Sequence, residues 1–173
     1  MLMEKYMYKG MLIALLMLAH SSAFAGKISE LFADGAFGVK WGADIKQVRE
    51  VHPEGEIKKY VGILNYVVPH SKPVLKINRR DSEVTFTFDS TGKLHAIGIS
   101  FEGSDVVELF SSLKTYFGEN KPLSNSPRIE WEKDGSIKMY LLSMPSGFSV
   151  KPILTIENVA IQNDASKDEL GFN

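Results

Sequence analysis

The sequence predicts an α+β fold, an antiparallel sheet with two main helices packed on one of its faces. Three observations predict it. Two segments, Asp44 to Val51 and Asp105 to Phe117, place apolar residues at helical spacing behind an acidic residue. Each is followed by several short β-rich runs separated by glycine or proline turns. That pattern favours hairpins over the single strands of a parallel sheet. The order helix, strands, helix, strands also repeats, which suggests an internal repeat. The chain has 173 residues, 44% hydrophobic and 24% charged, which fits one domain.

The N-terminus reads as an export leader. Lys5 and Lys9 precede the apolar run Met11 to Ala19, and Ala23-Phe24-Ala25 offers small residues for cleavage before Gly26. Met7 is an alternative start. The expected organisation is a signal peptide over 1–25, one α+β domain over 26–161 and a polar tail over 162–173. The apolar run is about half the ~20 residues of a spanning helix, so no integral membrane segment is expected after cleavage. Of 20 basic and 21 acidic side chains, the leader takes two lysines and one glutamate. The remainder, 18 and 20, gives a net charge of −2. Such a balance supplies no field for nucleic acid. With no cysteine there is neither a disulfide framework nor a lipid-attachment site. The expected location is the periplasm of a Gram-negative type cell, or the medium.

Taken in order, Lys27 to Ala36 has weak helical spacing through Ile28, Leu31 and Phe32. Phe37 to Gly42 is extended and punctuated by glycine. Asp44 and Gln47 form a variant capping box, Ile45, Val48 and Val51 one apolar stripe, and Pro53 a stop. Glu56 to Val68 reads as a long strand broken at Gly62, and Val74 to Ile77 as a short one. Glu83 to Asp89 alternates, with Val84, Phe86 and Phe88 inward. Asp89 to Gly92 is a hairpin loop. In Leu94 to Phe101 the apolar parity changes, which predicts a bulge near His95-Ala96.

In the second unit, Asp105 and Glu108 repeat the acidic start. Val106, Leu109, Phe110, Leu113 and Phe117 make the strongest helical stripe, and Gly118 ends it. A hairpin follows. A three-residue loop Lys133-Asp134-Gly135 would set Trp131 opposite Ile137 and Glu130 opposite Lys138, matching apolar and charged partners. Pro145-Ser146-Gly147 is a turn, and Pro152 to Val159 the last strand.

The stretch Phe37-Gly38-Val39-Lys40-Trp41-Gly42, with Asp44 behind it and antiparallel strands after it, resembles small exported bacterial α+β modules. These are the barrel-assembly accessory lipoprotein and the β-lactamase-inhibitor-protein fold. The likeness covers Phe37 to Val159 as a pattern. It departs in lacking a lipid-bearing cysteine and in having one helix per unit where those folds use a pair. The resemblance implies protein binding in the envelope.

Catalytic and metal signals are sparse. His52, His70 and His95 are isolated in sequence, and no Cys or His-Glu cluster has ligand spacing, so neither metal nor cofactor is expected. There is no Gly-x-Ser-x-Gly elbow. Ser90-Thr91-Gly92-Lys93 lacks the rest of a phosphate loop and is accounted for by a hairpin. Glu130 and Glu132 share one strand face and are the carboxylate pair a hydrolase would use. The candidate binding residues are Trp41, Tyr60 and Tyr66 for their aromatic rings, Lys76, Arg79 and Arg80 for charge, and His95 beside the bulge. The expected function is a non-enzymatic, exported protein-binding module, such as an inhibitor, an immunity protein or an envelope accessory factor. The alternatives are a small-ligand receptor with a pocket between helices and sheet, and a carboxylate-dependent hydrolase.

Overall fold

A computed structural model describes residues 27–60, 62–80, 82–122, 128–146 and 149–162. The expected signal peptide, and the expected tail from 163 onward, lie outside the described residues. A short helix α1 (Lys27–Phe32) leads into a two-stranded hairpin, β1 (Gly35–Ala36) and β2 (Val39–Lys40), then α2 (Ile45–Val51). Four strands follow: β3 (Glu56–Tyr60), β4 (Ile63–Pro69), β5 (Glu83–Phe88) and β6 (Leu94–Ser100). A 3-10 turn over Gly103–Asp105 opens α3 (Val106–Phe117). Four more strands complete the sheet: β7 (Lys121–Pro122), β8 (Arg128–Asp134), β9 (Ile137–Ser146) and β10 (Ser149–Asn158). A last turn of helix is α4 (Val159–Gln162).

The fold is α+β, and its main sheet has the order β3-β4-β5-β6-β10-β9-β8-β7 with every neighbour antiparallel. The order has a simple reading. One helix and a four-stranded meander occur twice, and the two meanders join through their last strands, β6 and β10. The repeat suggested by the sequence is therefore present in the topology, arranged about the β6–β10 seam.

Strand parity decides which face is buried. Phe86 stands opposite Ile97, Ile97 opposite Ile156, Ile156 opposite Met139, and Met139 opposite Trp131. All five are nearly solvent-free and share one cluster with Ile28 of α1, Val48 of α2 and Leu109, Leu113 and Phe117 of α3. The helices therefore cover this one face. Thr85, Thr87, Gly98, Thr155 and Tyr140 have the opposite parity and form the open face.

Local chemistry fixes the element ends. The Asp44 carboxylate accepts from the Gln47 amide, and the Gln47 side-chain oxygen accepts from the Asp44 amide, both at 2.9 Å. The variant capping box is thus complete. The Asp89 loop is tied by three bonds into one carboxylate oxygen, from the Thr91 and Lys93 amides and the Thr91 hydroxyl. Opposite Thr87 and Phe88 the partners are Ala96 and Leu94, so His95 is the extra residue of a bulge, where the parity change placed it.

Several expectations are corrected. Gly62, at φ 81°, turns the chain back, so Glu56 to Val68 is a hairpin of two strands and not one long strand. Val74 to Ile77 is a tight turn closed by a Val74–Ile77 bridge, with Leu75 and Lys76 both at positive φ. A β-branched pattern read from four residues had no way to reveal that reversal. The β8–β9 loop is Gly135-Ser136, and Trp131 pairs with Met139, two residues from the expected register. Both registers bury the same face, so parity alone does not separate them; an irregularity between Trp131 and Asp134 absorbs the difference. β10 begins at Ser149, earlier than expected. Asp105 makes no side-chain capping bond because the 3-10 turn precedes the helix, and Val106 is solvent-exposed. Val51 is likewise exposed, leaving Val48 as the anchor of α2.

Candidate functional site

The predicted binding residues separate into two groups. Tyr66 is buried at 1% exposure, and its hydroxyl donates to the His52 carbonyl at 2.8 Å. Arg79, at 3%, is buried as well. Trp41 is half-buried and packs against the core, and its indole Nε1 donates to the Phe32 carbonyl at 2.7 Å, strapping the end of α1 down. Tyr60, Lys76 and Arg80 are exposed, but Tyr60 lies at the tip of the β3–β4 hairpin, whereas Lys76 and Arg80 belong to the long β4–β5 connection. No single aromatic-and-basic patch gathers these residues.

His95 lies in the bulge, with Nδ1 buried and without a hydrogen-bond partner among the described residues. Burial pushes its pKa below the usual imidazole value, against the pull of Glu157 and Asp89. Among the described residues no three His, Asp or Glu side chains converge to hold a metal ion. Glu130 is in an ion pair with Lys138 at 2.9 Å, while the Glu132 side chain lies outside the described residues. Around that pair the open face is internally matched: the Arg128 guanidinium and the Lys138 ammonium lie 4.7 Å and 5.6 Å from the Tyr140 ring centre.

Two hollows stand out, and neither is legible in the sequence. The first, about 300 Å³ and open to solvent at Leu31, lies on the helix-covered side of the seam. Its floor is Ile99 of β6, Leu154 and Ile156 of β10, and Met139 of β9. Its walls are Phe32 of α1, Phe117 of α3, the β1–β2 hairpin and the Val74-Leu75 turn. Every side chain in the lining is apolar. The backbone that builds it is unusual. Of the described non-glycine residues, Phe37, Leu75 and Lys76 have positive φ, and two of the three line this cavity. Such conformations cost about 1–3 kcal/mol each and persist only where surrounding structure enforces them.

The second hollow, about 370 Å³, is polar and is lined by Phe37, His52, Glu54, His70, Ser71 and Lys72 with Pro69. Arg79 organises it from beneath. Its Nε and Nη2 donate to the Ser100 carbonyl at 3.0 and 2.8 Å, Nη2 also donates to the Glu83 carbonyl, and its Cζ lies over the Phe101 ring, 5.1 Å from the centroid. Nη1 donates to His70 Nδ1 at 2.9 Å. A guanidinium has no acceptor, so His70 Nδ1 must accept and the ring proton must sit on Nε2. Burial, and then the Arg79 charge, hold the His70 pKa below its usual value. Across the hollow, His52 Nε2 donates to the Phe37 carbonyl at 2.9 Å, and its Nδ1 lies 3.6 Å from Glu54. The Phe37 edge meets the His70 ring at 5.1 Å. The signal for this site was split between the end of α2 and the β4–β5 loop, and only the fold joins them.

No family model, curated protein or solved structure matches the chain.

Proposed function

We propose that the chain is an exported, non-enzymatic binding module that holds a small apolar ligand in the cavity at the seam. The observation that carries this reading is the cavity itself: an apolar hollow of about 300 Å³ whose floor is made of otherwise fully packed core residues. Its volume is at the low end of small-molecule pockets. An apolar hollow open at one side and walled by turns at positive φ has the form of a small-molecule site. Export, to a periplasm or the medium, rests on the leader pattern.

The test is thermal unfolding of the mature chain with 1-dodecanol as probe. A ligand that binds only the folded state raises the melting temperature with its concentration. Ala36→Phe, which fills the cavity from β1, should abolish that rise while leaving or raising the melting temperature of the free protein. Leu31→Trp, at the exposed mouth, is a second blocking variant. If the wild type shows no rise, the reading fails.

A second reading, protein binding, is favoured by one observation. β3 is an outer strand of the sheet, and Ile57, Tyr60 and Ile63 around it are each at least half exposed. An unpaired strand edge with apolar side chains suits strand addition by a partner peptide, as an inhibitor-type or accessory module would use. Ile57→Lys with Tyr60→Lys should remove a partner recovered by the wild type without altering dodecanol binding; a partner retained by this double variant would count against the edge.

A further inference from the structure

We propose that the ligand of the seam cavity is a single-chain amphiphile with a carboxylate head, its chain in the cavity and its head in the adjoining recess on His70 Nε2–H and Lys72. This rests on the cavity reading above and adds the chemistry of the head.

Phe37 is a wall of both hollows. The two hollows therefore adjoin at this residue. That side chain sits in a two-residue turn where Phe37 and Gly38 are both at positive φ, 54° and 77°. The recess is built to donate. The proton on His70 is fixed at Nε2 because Arg79 occupies Nδ1, and Arg79 is itself pinned by two strand carbonyls. Nε2–H is a preset donor without a protein partner among the described residues, and Lys72 and Ser71 are exposed beside it.

The one acid of the recess, Glu54, has its carboxylate 3.6 Å from His52 Nδ1. The His70–Lys72 side carries the Nε2–H donor and the Lys72 ammonium, above the Arg79 guanidinium. A carboxylate has two oxygens that can accept from an imidazole N–H and an ammonium together. An apolar pocket with a few fixed polar groups at one end is the usual form of a small-molecule site. The apolar lining selects the chain, and the recess selects the head.

The experiment compares three probes of equal chain length by calorimetric titration at pH 7.5, below their micelle concentrations: dodecanoate, 1-dodecanol and dodecylammonium. The proteins are the wild type, Lys72→Met and His70→Asn. Asparagine keeps an oxygen where Nδ1 accepts from Arg79 but removes the distal N–H. The expected result is dodecanoate binding at least about tenfold more tightly than dodecanol to the wild type. Each variant should lose most of that preference while dodecanol affinity stays unchanged. Dodecanol binding as tightly as dodecanoate overturns the head assignment and leaves the cavity reading standing. Tighter dodecylammonium overturns its sign and points to Glu54. If none of the three binds, the cavity reading falls and this inference with it.

Discussion

The two halves of the sheet share a plan and divide the work unequally. Each is a helix followed by a four-stranded meander, and both helices cover the same face. In the second half, α3 has 12 residues and packs Leu109, Leu113 and Phe117 onto the sheet, with Phe110 edge-on to Trp131 at 6.2 Å. β9 and β10 run 10 residues each. In the first half, α2 has 7 residues and buries only Val48 fully. The space a longer helix would fill is taken by the β4–β5 connection, with a buried arginine, and by the β1–β2 hairpin. The three histidines among the described residues, His52, His70 and His95, all belong to this half. The second half supplies apolar packing, whereas the first trades packing for fixed polar groups and hollows.

The sharpest way to break this contrast is to remove one tryptophan from each half. Trp131 is 1% exposed and donates to the Gly118 carbonyl at 3.1 Å, which ties β8 to the end of α3. Trp131→Ala should cost about 3–5 kcal/mol, measured by urea unfolding. Trp41 is only half-buried, so Trp41→Ala should cost no more than about 2 kcal/mol. Its effect should fall on α1, seen as faster amide exchange there, because the Trp41–Phe32 bond holds that helix end. Equal costs for the two would mean that both halves depend equally on apolar packing.

The next test replaces the buried arginine. Arg79→Met keeps much of the volume but leaves the Ser100 and Glu83 carbonyls without its N–H groups, and frees His70 Nδ1. An unsatisfied buried group costs about 1–3 kcal/mol, and a total loss near 2–3 kcal/mol is expected by the same urea measurement. Arg79→Lys should recover less than half of it, since an ammonium lacks the fork that spans these acceptors. The imidazole nitrogen shifts of His70 should also show a mixture of tautomers in Arg79→Met where the wild type shows one. Full recovery by lysine would make Arg79 a simple charge.

How much of this was legible follows from the range over which each feature is determined. The α2 cap was readable because Asp44 and Gln47 are three residues apart and need nothing else. The bulge at His95 was readable because Leu94 and Ile97 must face one core. The Gly62 hairpin was half-readable: the glycine marked a break, but whether a strand bends or reverses depends on where β5 lies. The β8–β9 register was ambiguous because both registers bury Ile129, Trp131, Ile137 and Met139 on the same side. Arg79 looked like surface charge in sequence. Its burial depends on the Ser100 and Glu83 carbonyls and the Phe101 ring, supplied by strand ends up to 22 residues away. Both hollows likewise need stretches far apart in sequence; the second joins Phe37, His52 with Glu54, and Pro69 to Lys72.

A smaller effect separates the two helix starts. Asp44→Ala removes a complete capping box and should cost about 1 kcal/mol. Asp105, the counterpart in the second half, makes no capping bond to the helix, and its Oδ2 is buried without a partner among the described residues. Asp105→Ala should therefore stay within about 0.5 kcal/mol of the wild type, or stabilise it slightly. Equal losses in the two variants, by urea unfolding, would show that the sequence echo between the units is also an energetic one.

The smallest effect is the pH response, and it should belong to the first half alone. His70 and His95 both have folded-state pKa values below the usual 6.5, in each case chiefly from burial. His70 faces Arg79, Lys72 and His52; His95 faces Glu157 and Asp89. Between the folded and unfolded values the unfolded chain binds more protons, so stability rises with pH across that window. The contribution is present above pH 6.5 and is lost as pH falls toward the folded values. Urea midpoints should fall between pH 7.5 and pH 5.5, a range in which carboxylates stay largely ionised. The double variant His70→Asn, His95→Gln should flatten that slope. The effect is small for His70 because the ring is only partly buried and solvent screens the Arg79 charge. A slope that survives in the double variant would move the acid sensitivity away from these two rings, leaving His52 and its Glu54 neighbour as the groups to replace next.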